Sequence, residues 1–299
     1  MNAWIEGNTL LAQTTLVSLL LACSLQVPFR WGVFSFAGLG AYTIGAYGAA
    51  ILLLRTGAST WVAIGLASLM ACVVCYGFSF LVARLGGLYL GMATIAFDLI
   101  LTVLVQNGGP LTGKSGMLFG VLGDITSWQI ALVCAAACAT LAYTERGRLG
   151  RQVEAASTDP QLALAMGIKV QSFQRASFAI SGLLGGLAGG IGVMIATTVQ
   201  PSAVGFHLII TALTMITVGG SRSWVGALIG AIIITWLPEV LGVAQEWRLV
   251  IFGGVVTLLA VWLPEGILGL LISGIRRARP APSSKAGAPS ALSNGTAAG

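Results

Sequence analysis

The chain has 299 residues, 57% of them apolar and only 8% charged, with a formal net charge of +6. A water-soluble domain carries about 25% charged residues, so this composition excludes a water-facing surface over most of the chain and assigns most of it to lipid. The length suffices for several membrane crossings, each needing about 20 apolar residues.

Nine apolar stretches follow in chain order: 8–27, 32–54, 60–83, 87–105, 125–143, 177–199, 203–220, 224–241 and 247–263. The seventh and ninth are short or carry polar residues such as His207 and Thr211, and each fits either a full crossing or a re-entrant segment. Trp31, Trp61, Trp128, Trp224, Trp247 and Trp262 fall near stretch ends, where interfacial aromatic belts lie. The expected fold is an all-α polytopic bundle of about nine transmembrane stretches, some of them broken or re-entrant. It divides into a transmembrane domain over 1–275, with a long polar loop at 144–176, and a tail over 276–299. The tail, RRARPAPSSKAGAPSALSNGTAAG, has no apolar face and reads as a disordered, basic cytoplasmic segment.

Basic residues orient the chain. With loop 144–176 in the cytoplasm, Arg30, Arg84, Arg146, Arg148, Arg151, Lys169, Arg175, Arg222, Arg276, Arg277, Arg279 and Lys285 all lie inside. Only Arg55, Lys114 and Arg248 lie outside, and the N-terminus is then external. No Lys or Arg precedes Arg30, so the positive n-region of a signal peptide is missing. Cys23, Cys72, Cys75, Cys134 and Cys138 all fall in apolar runs and read as buried thiols; the Cys72/Cys75 pair lacks the further ligands a metal needs.

Two motifs suggest chemistry. Residues 108–115 read GGPLTGKS, which matches the phosphate-binding P-loop letter for letter. That motif works between a β-strand and a helix, whereas here it follows a membrane stretch in an external loop, and Pro110 removes one N–H donor. The same loop contains GKSG, and Ser115 with His207, the single histidine, would form the dyad of a rhomboid-type protease. Ser115 sits in a loop rather than at an intramembrane helix start, so geometry argues against it.

Loop 144–176 carries a punctuated helix. Asp159 suits the N-cap, Pro160 the first helical position and Gly167 a left-handed C-terminal stop. Leu162 and Met166 share one face, and such a helix either lies on the bilayer or docks into a groove on a soluble partner. Glycine concentrates in 31–48 and 218–231, where it either lets helices approach closely or interrupts them at a transport path. Asp98 lies mid-stretch, one helical turn from Thr94. An intramembrane carboxylate is either functional or a tie between helices.

These segments resemble the permease subunits of bacterial branched-chain amino-acid ABC importers, specifically the M-type subunit. SFAGLGAYTIGAY (35–47), RLGGLYLGMATIAF (84–97), TGKSGM (112–117), GRQVEAA (150–156) with ALAMGI (163–168), FAISGLLGGLAGG (178–190), VGGSRSWVGALIGA (218–231) and LPEGILGLL (263–271) stand in the family's order and spacing. The family's histidine in the first motif is Gly38 here, which bears on specificity.

The resemblance implies an inner-membrane transporter subunit, not an enzyme, translocating leucine, isoleucine and valine or related small polar solutes. Urea and short-chain amide permeases are close relatives. It implies a second homologous permease, cytoplasmic ABC ATPases that bind ATP and magnesium, and an external solute-binding protein; the chain itself would hold no cofactor or metal. Arg151, Glu154, Ala155, Ala156, Leu162, Met166 and Gly167 would form the element coupling to the ATPase. Ser35, Gly38, Tyr42, Thr94, Asp98, Gly219 and Gly220 are candidates for the translocation path. The rival from another class is an ion-coupled secondary transporter, for which Asp98 is the one coupling acid on offer.

Overall fold

Inside a bilayer no water satisfies backbone N–H and C=O groups, so an apolar chain closes its hydrogen bonds within helices. The computed structural model describes residues 2–240 apart from 110, 111, 113–115, 122, 146, 221 and 222, together with 253, 254 and 257. The helices are α1 (Asn2–Arg30), α2 (Ala37–Thr56), α3 (Thr60–Leu81), α4 (Gly87–Gln106), α5 (Ser127–Glu145), α6 (Gly147–Thr158), α7 (Pro160–Ala165), α8 (Val170–Ala196), α9 (Pro201–Val204), α10 (Phe206–Gly219) and α11 (Trp224–Val240). Among the described residues, seven segments are long and apolar enough to cross a membrane, and α11 adds a shorter apolar helix. These correspond to the first eight predicted stretches. The ninth, 247–263, falls outside the described residues apart from 253, 254 and 257, and the tail from Arg276 lies wholly outside them.

Two helices depart from simple spans. α1 runs on past the expected end through Pro28 to Arg30. Proline has no N–H to give back to the preceding turn, yet the chain recovers at once: the Val33 N–H donates to the Pro28 carbonyl at 2.8 Å and Gly32 turns it with φ +74°. The seventh stretch is broken. Gly205, at φ −89° and ψ −147°, separates α9 from α10, so this crossing is built of two pieces.

α8 occupies the middle of the bundle, packed on α1, α2 and α3. Its glycines recur at 182, 185, 186, 189 and 190, a stripe at helical spacing. A methyl at Gly185 would overlap the Gly38 carbonyl oxygen, one at Gly189 the Tyr42 carbonyl, and one at Gly45 the Gly186 carbonyl. Backbone therefore lies against backbone. Lipid tails are as apolar as leucine, so such van der Waals contact is what holds membrane helices together. The glycines of α2 pack in this way within an unbroken helix rather than interrupting it. In the hairpin of α10 and α11, a methyl at Gly219 would overlap the Gly226 carbonyl, and one at Gly230 the Met215 carbonyl.

The two ends of the bundle are closed differently. At one end Gly32 touches Ser157 of α6, with 3.0 Å from its added Cβ to the Ser157 Cα, and Trp31 meets Phe173 edge-on at 5.8 Å. At the other, a two-residue strand β1 (Leu118–Phe119) pairs antiparallel with β2 (Thr198–Val199). Tyr47 donates from its hydroxyl to the Gly116 carbonyl at 2.8 Å, tying the same cap to α2. The sequence reading contains no strand there. The loops at 30–36, 82–86 and 144–176 lie at one end of the bundle, since Trp31 meets Phe173 and Val82 and Ala83 line one cavity with Arg175.

None of the five cysteines is joined in a disulfide. Cys23, Cys75 and Cys134 are buried as expected, whereas Cys72 and Cys138 are half-buried, because they sit on the less enclosed faces of α3 and α5.

Candidate functional site

The polar element between α5 and α8 is locally determined. Asp159 accepts hydrogen bonds at Oδ1 from the N–H groups of Gln161 (3.0 Å) and Leu162 (3.1 Å), capping α7 with Pro160 in its first turn. At the other end Gly167 takes φ +80°, its N–H donates to the Leu164 carbonyl, and the Ile168 N–H donates to the Ala163 carbonyl, both at 3.0 Å. This pair of bonds is the Schellman closure that a left-handed glycine permits. With both ends fixed, Ala163 turns inward while Leu162, Leu164 and Met166 stand 55%, 58% and 69% exposed. Leu164 extends the apolar knob that Leu162 and Met166 alone suggested.

α6 is a second helix of this element that the sequence reading did not mark. Gly150, Val153 and Ala156 are buried and Arg151, Gln152 and Glu154 exposed. The signal was present as apolar or small residues three apart, masked by two glycines that lower helix propensity. Within the predicted set, Arg151, Glu154, Leu162, Met166 and Gly167 lie outward, Ala155 is half-buried, and Ala156 is buried.

The candidate path residues do not converge. Thr94, Asp98 and Thr102 form one buried stripe of α4. Thr94 Oγ1 accepts the Phe36 N–H at 2.9 Å and donates to the Gly91 carbonyl at 2.8 Å, so it ties the start of α2 to α4. Ser35 accepts the Ala37 N–H at 3.3 Å and helps begin α2. Asp98 is fully buried, and neither carboxylate oxygen has a hydrogen-bond partner among the described residues. Thr43 of α2 is the polar side chain that interacts with it, although its hydroxyl also reaches the Leu39 carbonyl at 3.4 Å. Burial against α2 removes the acid from lipid.

Gly38 and Tyr42 face other helices. A Cβ at Gly38 would lie 2.6 Å from Ser24 Oγ on α1 and 2.8 Å from Ser181 Oγ on α8. A larger residue at this position would require the Ser24 and Ser181 hydroxyls to move aside. Tyr42 is half-buried, with its hydroxyl against Gly192 of α8. Gly219 and Gly220 are elsewhere again, closing the hairpin of α10 and α11, with Gly220 at φ +101°.

The loop carrying GGPLTGKS follows helix α4, not a strand, and Thr112 uses its hydroxyl on the Val105 carbonyl at 2.8 Å. Lys114 and Ser115 lie outside the described residues. His207 is exposed near the start of α10.

Comparison with known proteins follows the same lines. The family model described as branched-chain amino acid transport system / permease component matches residues 9–261. The chain is 25% identical to the high-affinity branched-chain amino acid transport system permease protein LivM of Escherichia coli K12, an alignment covering 88% of this chain and 70% of the relative. The corresponding LivM of Salmonella typhimurium is 24% identical over the same shares. The ribose import permease protein RbsC of Escherichia coli K12 is 32% identical, covering 57% of this chain and 58% of the relative. No solved structure matches the chain.

Proposed function

Because the chain belongs to the branched-chain amino acid permease family, we propose that it forms half of the translocation path of an ATP-driven importer for leucine, isoleucine and valine. An ABC-importer membrane subunit is a multi-pass transporter component and not an enzyme. In the proposal a second homologous permease forms the other half. Cytoplasmic ATPases hold ATP and magnesium, and an external solute-binding protein delivers the solute. The N-terminus is external and loop 144–176 cytoplasmic, in a bacterial inner membrane.

The observation that carries this reading is the knob on α7. Leu162, Leu164 and Met166 are exposed on a helix capped at both ends, on a polar element outside the spans. Apolar side chains held out in this way fit a groove on a partner, which an ATPase surface supplies. Arg151 and Glu154 would border the contact, with Ala155, Ala156 and Gly167 setting its position. Gly32, pressed on Ser157, would carry movement of the element into α1 and α2, because an importer works by moving between two states of different affinity.

The experiment is mild-detergent purification from native membranes with mass spectrometry of what accompanies the chain. An ABC ATPase and a second permease in stable proportion support the proposal. Reproducible recovery of the intact chain alone overturns it and favours the ion-coupled transporter. The solute needs its own test, since the relatives include a ribose permease as well as branched-chain amino acid permeases. Uptake of labelled leucine by the reconstituted complex should be competed by isoleucine and valine. Competition by urea, a short amide or ribose instead would reassign the solute.

A further inference from the structure

The end of the bundle that carries α6 and α7 holds a charged group the transport reading does not use. Ser79 and Val82 from the end of α3, Leu90 from α4, and Gln171, Gln174 and Arg175 from the start of α8 line a small cavity there, and no carboxylate lines it. The Arg175 guanidinium carbon lies 4.5 Å over the centre of the Phe80 ring. Its Nε is buried and finds no acceptor among the described residues. Arginine does not lose its proton in proteins, so it brings a permanent charge and a planar fork of donors to this position. A buried donor without an acceptor calls for a group that supplies one.

The surroundings define that group. Phe80 is 51% exposed, Tyr76 stands edge-on to it at 5.2 Å, and Leu81 is exposed beside them. These residues are exposed on the last two turns of α3, a helix long and apolar enough to cross a membrane, whose end is therefore expected at headgroup depth. Arg84, exposed on the turn between α3 and α4, adds a second positive charge nearby. An oxyanion attached to an apolar tail matches both features, an acceptor for the guanidinium and a cover for the exposed face of α3. We propose that this junction is a binding site for one anionic phospholipid. Arg175 engages the phosphate through its fork, the Gln171 and Gln174 amides contribute donors, and an acyl chain lies over Tyr76 and Phe80. Guanidinium and phosphate form paired, charge-assisted hydrogen bonds. The stacking on Phe80 holds the guanidinium plane in place before the lipid arrives.

The test is native mass spectrometry of the purified full chain after incubation with phosphatidylglycerol or phosphatidylcholine. One phosphatidylglycerol should be retained about fivefold better than phosphatidylcholine, the preference one interfacial arginine supplies. Arg175→Gln should abolish that preference, and Arg175→Lys, a point charge without a fork, should keep part of it. Phe80→Leu leaves the charge in place and should weaken retention by a smaller factor, and it carries the test if Arg175→Gln does not fold. Inorganic phosphate should fail to displace the lipid, because the acyl chain contributes to binding. Equal retention of both lipids, full phosphatidylglycerol retention by the folded variants, or displacement by phosphate alone would each overturn the proposal.

Discussion

α4 and α8 are both apolar helices long enough to cross a bilayer, and α4 is the more apolar of the two. Yet 67% of the spanning window of α8 is buried in the protein, against 28% for α4. Hydropathy therefore identifies a span without locating it. What separates the two is side-chain size along one face. α8 presents glycines at three- and four-residue intervals, so α2 and α3 both come up against its backbone. α4 offers large exposed side chains such as Leu88, Met92, Ile100 and Leu104 to its surroundings and keeps one narrow inner stripe for α2. That stripe holds the buried Asp98. The less enclosed of these two helices thus uses its protein contact for the group that lipid tolerates least.

The largest expected effect tests this contrast directly. Gly185→Val should cost about 3 kcal/mol or more, since its side chain would overlap the Gly38 carbonyl and neither backbone yields cheaply. The measurement is the amount of folded protein in membranes, which should collapse. The matching change on the other helix, Ala96→Leu on the exposed face of α4, should leave that amount unchanged. Comparable losses from both would remove the distinction between the helices.

Next comes the element that leads into α8. Gly167→Val forces a β-branched residue into φ +80°, at a cost of about 1–3 kcal/mol confined to the end of α7. The protein should reach the membrane in normal amounts while uptake falls and ATP hydrolysis by the complex no longer follows solute. Retained uptake would refute the coupling role of residues 150–168.

Asp98→Asn sharpens the comparison from within α4. The variant keeps the shape and loses the charge, so folding should be unharmed or improved, and the expected loss is in transport rate. A fall in expression with normal transport per molecule would make Asp98 a structural tie. The smallest effect is expected in the loop after α4: Lys114→Ala should leave the ATPase activity of the assembled complex intact, and a dead ATPase would restore the nucleotide reading of GGPLTGKS.

Residue by residue, the sequence supplied what depends on near neighbours in the chain. The spans were legible because about 20 apolar residues in a row have few other uses. The caps of α7 were legible because Asp159, Pro160 and Gly167 act within one turn of themselves. The grouping of basic loops at one end was legible because a helix that crosses must reverse side. Even the glycine stripe of α8 was available as spacing, although only its neighbours gave it meaning.

Other features were decided by contacts between distant parts of the chain. Gly38 and Asp98 lie in helices that touch, yet they face opposite neighbours, α1 and α8 for one and the α2–α4 seam for the other. Strands of two residues, too short to show a pattern, pair only because Tyr47 and the end of α8 bring them together. Arg175 gained its interest from Phe80 on another helix. In each case the sequence names the side chain and its turn, but the face it meets is set by which helices pack closest, and in lipid that is decided by backbone approach rather than by hydrophobicity.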